Sequence, residues 1–169
     1  MHTIHKEEGV IRVLSLDQAT RTSGWAVFDN EQLVTSGTIS MREDDVDDRI
    51  FSFSKWLEMM LRKWNPHYLA VEDTHLQVYG KTSNIGVQTF KILAQLQGVS
   101  INTAMRLGVV PMSCHASTWR AYCGVTGRSK AEKKLSMQNI VKKKYGEFKS
   151  DDEADAIGIG LYASNNYIV

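Results

Sequence analysis

A chain of 169 residues, 43% hydrophobic and 23% charged with only 2 prolines, is long enough for one domain with a genuine core, since a domain of this size buries roughly two-thirds of the surface its unfolded form exposes. That composition excludes fibrous, low-complexity and disordered classes. A start rich in His, Lys and Glu, with no run of about 18 apolar residues anywhere, predicts a cytoplasmic protein and no membrane span.

Residues 10–16 (VIRVLSL) and 23–28 (SGWAVF) read as apolar strands on either side of a polar turn, and 32–41 (QLVTSGTISM) completes a three-stranded meander. Asp47 or Asp48 is expected to cap a helix whose apolar positions Ile50, Phe53, Leu57, Met60, Leu61 and Trp64 recur every three or four residues, ending before Pro66. The stretch 68–72 (YLAVE) is a short strand that finishes on an acid. Asn84 opens a helix through Val87, Phe90, Leu93 and Leu96 towards Met105, with Gly98 weakening its middle. A strand at 109–114 is followed by a short helix opened by Ser117 or Thr118 and closed by Gly124. A basic helix over 130–145, with Leu135, Ile140 and Val141 inward, precedes a last helix from Asp151 to Tyr162. Strands first, then alternating helix and strand, predict a mixed α/β domain over 1–169 with no linker to divide it.

The net charge of +1 indicates no partner, but the charges are segregated: residues 103–149 hold ten basic side chains against Glu132 and Glu147, while acids gather at 43–48 and 151–155. Cys114 and Cys123 match no redox or metal spacing and are expected to be free thiols. His2, His5, His67 and His115 lack paired-ligand spacing, so zinc is not expected. Trp25, Trp56, Trp64 and Trp119 fall on apolar faces and are read as core.

Asp17 follows one apolar strand and Glu72 ends another, which places both carboxylates at the carboxyl edge of a sheet, where α/β sites form. In D-D-E-A-D-A-I-G-I-G, Asp152 and Asp155 are three apart and share one helical face. Carboxylates brought together repel unless cations neutralise them, and hard oxygen donors suit Mg²⁺ or Mn²⁺. Two such ions about 3.5–4 Å apart activate a water and stabilise the leaving oxygen of a phosphodiester, so phosphodiester hydrolysis is the expected chemistry.

The segments V-L-S-L-D17-Q-A-T-R-T-S-G-W-A-V-F, Y-L-A-V-E72-D-T-H and D152-E-A-D155-A-I-G-I-G resemble, in order and spacing, the three acidic motifs of RuvC-type Holliday junction resolvases. The resemblance covers most of the chain, and the small size looks like the phage-encoded branch. It implies a ribonuclease-H-like mixed sheet flanked by helices, a homodimer, and Mg²⁺-dependent paired nicks near a four-way DNA junction, with Asp17, Glu72, Asp152 and Asp155 as ligands of two ions. A-S-T-W-R120-A-Y and S-K-A-E-K133-K are similar to the stretches where that family places basic residues near the scissile phosphate. Arg120, Arg128, Lys130, Lys133 and Lys134 are accordingly expected on phosphates, with Lys133 also stabilising charge on the transferred phosphoryl group. Lys142 to Lys144 read as a solvated end of the same helix.

Two departures stand out. Gln18-Ala19 replaces the Pro-Gly usual in cellular members, and His75 stands where an aromatic wedge is common. His75 and Tyr79 are expected to stack on unpaired bases. The predicted helix from Asn84 carries Ile85, Phe90, Ile92, Leu93 and Leu96, more apolar surface than one core stripe needs, which suits a face against a second copy. The competing expectations are a nuclease acting on RNA–DNA hybrids, a junction-binding protein without catalysis, and one half of an actin-like or sugar-kinase nucleotide-binding fold, since D17-Q-A-T-R-T-S-G also resembles a phosphate loop. Length disfavours the last, which needs two halves to enclose a nucleotide.

Overall fold

The computed structural model describes residues 9–74, 84–147 and 150–166. Five strands form one mixed sheet: β1 (Arg12–Asp17), β2 (Thr22–Asp29), β3 (Gln32–Ser40), β4 (Tyr68–Glu72) and β5 (Val110–Cys114), in the spatial order β3-β2-β1-β4-β5. The meander β1-β2-β3 is antiparallel, while β4 and β5 run parallel to β1. Helices α1 (Val46–Trp64) and α2 (Asn84–Arg106) cover one face, and α3 (Ala116–Cys123), α4 (Lys130–Tyr145) and α5 (Asp151–Asn166) cover the other.

This layering explains why β1 and β4 are apolar on both sides. Leu14, Leu16, Leu69 and Val71 point into the cluster with Phe53, Leu57 and Leu61 of α1 and Leu96 of α2. Val13 and Ala70 point the other way, into the cluster with Trp119, Met137, Val141, Ile157 and Ile159. The alternation of a strand therefore sorts its side chains between two cores, and Asp17 and Glu72 follow Val13 and Ala70 onto the α5 side.

Helix α5 lies very close to the sheet. A methyl group added at Gly24 of β2 would stand 1.8 Å from the Asp152 carbonyl oxygen, and one added at Gly160 would stand 2.5 Å from the Phe28 ring. The Ser15 hydroxyl on β1 donates to the Ala156 carbonyl at 2.7 Å. Buried Glu153 accepts from the Ser36 hydroxyl of β3 at 2.8 Å.

Several expected boundaries move for local reasons. The cap of α1 is Asp45, whose carboxylate accepts the amides of Asp47 and Asp48, rather than either of those two acids. Helix α3 starts at Ala116, one residue before Ser117, and ends as expected at Gly124 in a left-handed conformation with φ 77°. Helix α2 runs through Gly98 unbroken, and α5 continues beyond Tyr162 to Asn166. Helix α4 has the expected bounds and a Ser129–Glu132 capping box. Its buried face is the correction: Met137 and Val141 are buried and Ile140 packs beside them, but Leu135 is 58% exposed. Met137 and Val141 occupy the buried face of α4, and Leu135, two residues from Met137, falls on the opposite side. Both cysteines are free, and burial pushes their thiols up, Cys114 to about 12 and Cys123 to about 11.

Candidate active site

Strands β1 and β4 are parallel neighbours with Leu16 opposite Val71, so the next residue of each, Asp17 and Glu72, stand side by side at the carboxyl edge. Helix α5 begins above the same edge and brings Asp152 and Asp155 from its first turns. The turn that leads Asp17 away from the sheet is held by Ser23, whose hydroxyl accepts from the Ala19 amide at 3.0 Å and donates to its carbonyl at 2.8 Å. Buried Gln18 accepts from the Ser100 hydroxyl of α2 at 2.8 Å. Side-chain hydrogen bonds therefore hold the shape of this Gln18-Ala19 turn.

Electrostatics show that the four acids act on one another. Burial, then the charges of Asp155, Glu72 and Asp152, push the Asp17 carboxyl up to about 8. Asp155 rises to about 6, again chiefly through burial, with Arg120 and Lys134 pulling it down and Glu72 and Asp152 pushing it up. Both carboxyls are raised first by burial and then by the neighbouring acids, the combination that marks candidate functional sites.

Two cations share the cluster. An Arg120 Nη2 group of α3 lies 3.4 Å from Glu72 Oε2 and 3.7 Å from Asp155 Oδ2. Lys134 Nζ of α4 lies 3.4 Å from Asp151 Oδ2, and Gln138 donates to the other oxygen of that carboxylate. Among the basic residues expected from sequence, Arg120 and Lys134 are thus drawn to the acids. Arg128, Lys130 and Lys133 are exposed around the start of α4. His75 and Tyr79 lie outside the described residues.

Sequence reading missed the part played by Trp119. It is fully buried, as a core residue should be, but its indole N–H also donates to Glu72 Oε2 at 2.9 Å. Nothing in the local sequence marks that bond, because the two residues are 47 apart. A second omission is Glu153, which sits between two expected ligands yet faces β3.

Among the described residues, no three His, Cys, Asp or Glu side chains stand as a ready-made metal cage; Arg120 spans Glu72 and Asp155 instead. The donor chemistry nevertheless fits a hard divalent cation, since the convergent groups are carboxylates and Asp17 is raised both by burial and by the three acids around it.

A family model described as crossover junction endodeoxyribonuclease RuvC matches residues 13–162. The chain belongs to this RuvC family. The match runs from β1 into α5 and so contains all four acids. Among its relatives is the crossover junction endodeoxyribonuclease RuvC of Rhizobium etli, 28% identical over 166 residues, which span 94% of this chain and 92% of that protein. A RuvC from Rhizobium rhizogenes is 27% identical over the same shares.

Solved structures agree on the fold. Thermus thermophilus RuvC in complex with a Holliday junction substrate superposes with a TM-score of 0.63 at 17% identity, covering 89% of this chain and 90% of that one. The yeast mitochondrial Holliday junction resolvase Ydc2 gives 0.57 at 14% identity, covering 91% and 76%. The chain therefore has the ribonuclease-H-like fold expected from its sequence. No helix among the described residues is long and apolar enough to cross a membrane.

Proposed function

We propose that this chain is a metal-dependent endonuclease, a single domain over 1–169, that acts as a homodimer and hydrolyses phosphodiester bonds at four-way DNA junctions. The observation that carries the reading is the convergence of Asp17, Glu72, Asp152 and Asp155 on one sheet edge in a member of the RuvC family. The names of its relatives and the junction bound to the T. thermophilus protein support the choice of substrate.

Asp17, Glu72, Asp152 and Asp155 are the assigned metal ligands. Two Mg²⁺ or Mn²⁺ ions about 3.5–4 Å apart supply water activation and stabilisation of the leaving oxygen at such a set. Arg120 and Lys134 offset the carboxylate charge within the fold, and Arg120 is assigned to turn from the carboxylates to a phosphate. Exposed Arg128, Lys130 and Lys133 supply contacts to the DNA backbone, with Lys133 assigned to the transferred phosphoryl group. His75 and Tyr79, which follow Glu72 in sequence, are assigned to unpaired bases at the branch.

Cleavage of junction, three-way, flap, linear and RNA–DNA hybrid substrates, each with Mg²⁺ and with chelator, tests the reading. The junction should be cut in Mg²⁺ alone. Asp17→Asn, Glu72→Gln and Asp155→Asn should each cut at under about a hundredth of the wild-type rate, because even residues that merely orient metal ligands cost about 10–100-fold when lost. All three should still bind junctions, since the basic surface is untouched. Preferential cutting of the hybrid duplex, or metal-independent cutting, would sink the proposal.

A further inference from the structure

We infer that Trp119 is a positioning residue for Glu72, its buried indole N–H fixing one carboxylate oxygen so that the group is held ready for a divalent cation. The inference rests on the assignment of Glu72 as a metal ligand.

The indole ring of Trp119 is fully buried, in the cluster with Met137 of α4 and Ile157 of α5. It is seated against Gly158, where an added methyl would come within 2.7 Å of the ring atom Cζ3 and 3.0 Å of the Met137 methyl. The ring is therefore closely packed on that side. A buried indole N–H requires an acceptor, and here it takes Glu72 Oε2 at 2.9 Å. The Arg120 guanidinium stacks on the same ring, 4.7 Å from its centroid, and reaches the same oxygen at 3.4 Å. Both donors hold Oε2, so the rigid ring orients the carboxylate while the longer, part-exposed arginine can move without releasing it. Groups that hydrogen-bond a metal ligand from behind set its orientation, and their loss typically weakens metal affinity.

Trp119→Phe keeps an aromatic ring beside Gly158 and removes the N–H. The full chain and this variant are compared by Mg²⁺ titration of junction cleavage, by KM for the junction, by thermal melting, and by ¹H–¹⁵N spectra of the indole groups. The half-saturating Mg²⁺ concentration should rise about 10–100-fold, with KM for DNA unchanged. In wild-type protein with Trp119 assigned through its own backbone, the indole resonance should shift on adding Mg²⁺ and again in Glu72→Gln. The spectra need only wild-type and Glu72→Gln protein, so they decide the matter even if Trp119→Phe folds poorly. An unchanged Mg²⁺ requirement in a folded Trp119→Phe, or an indole signal that ignores Glu72→Gln, overturns the role of Trp119 while leaving that of Glu72 intact. Wild-type cutting by Glu72→Gln overturns the ligand assignment and the inference with it.

Discussion

A carboxyl group lifted to about 8, as Asp17 is by burial and by three neighbouring acids, holds its proton more tightly in the folded chain than in the unfolded one. The sign of the linkage follows: this group costs the fold nothing below the unfolded value of 3.8, and the cost grows as pH rises towards about 8. Asp155 adds a similar cost that is complete by about 6. In chelator, Asp17→Asn should therefore melt higher than wild type at pH 8, with the gap closing towards pH 4. Each kcal/mol recovered corresponds to about 2–4 °C for a chain of this size. Metal binding must displace the same protons, so the Mg²⁺ concentration that half-restores wild-type melting should fall between pH 6 and 8. Melting curves across pH with chelator or Mg²⁺ check both outcomes, and a flat Mg²⁺ requirement would show that neither acid faces the ion. The acids themselves were legible because a strand end and a three-residue helical spacing are local patterns. The cations that answer them were not: Arg120 and Lys134 reach the cluster only through the packing of α3 and α4 beside α5.

The distance between β2 and α5 is governed by what stands between them. Gly24 pairs with Asp17 in the β1–β2 register, and its missing side chain is where the Asp152 backbone sits. A methyl there would lie 1.8 Å from Asp152 oxygen and 2.8 Å from the Glu153 nitrogen, both backbone atoms that cannot swing aside. Gly24→Ala must push the first turn of α5 outward. A displacement of about 1 Å at a catalytic group is worth 10²-fold in rate, and overpacking costs about 1–3 kcal/mol in stability. Single-turnover cleavage and denaturant unfolding of Gly24→Ala should show both losses; an unaffected cutting rate would mean that α5 is positioned elsewhere. At this scale the sequence was a good guide to which elements exist, since apolar period and capping residues act over a few residues. It was a poorer guide to how helices turn on their axes. Leu135 reads as core by composition, yet with Met137 and Val141 on the buried face of α4 it turns to solvent. The glycines of D-D-E-A-D-A-I-G-I-G gave no spatial meaning until Trp119, Phe28 and Ser15 were seen filling the space above them.

The molecule as a whole has one face with catalytic chemistry and another with none assigned. The fold class was readable because a meander followed by parallel strands admits few arrangements, but the use of the α1–α2 layer is not encoded in any motif. On that layer Phe51 and Met59 of α1 and Val87 and Met105 of α2 are exposed, at 62%, 53%, 43% and 64%. Helix α2 is buried mainly from Leu96 onward, at Ser100, Thr103 and Ala104, while residues 86–89 near its start are exposed. Of the residues expected on a free face of this helix, Leu96 is instead buried in the core and Phe90, Ile92 and Leu93 are half-buried, while Val87 is exposed near its beginning. A two-fold pairing there would have to bury roughly 1,200–2,000 Å² for stable association and would carry two copies of the acid cluster. Two such sites related by a two-fold axis are what opposed cuts in one junction demand. Sedimentation at micromolar concentration should find a dimer, and Val87→Glu should shift it towards monomer without lowering the melting temperature of the subunit. Dimers mixed from wild-type and Asp17→Asn subunits should nick only one of the two opposed strands. A monomer on the junction, or a mixed complex that cuts both strands, would rule out a dimer with one active site in each subunit.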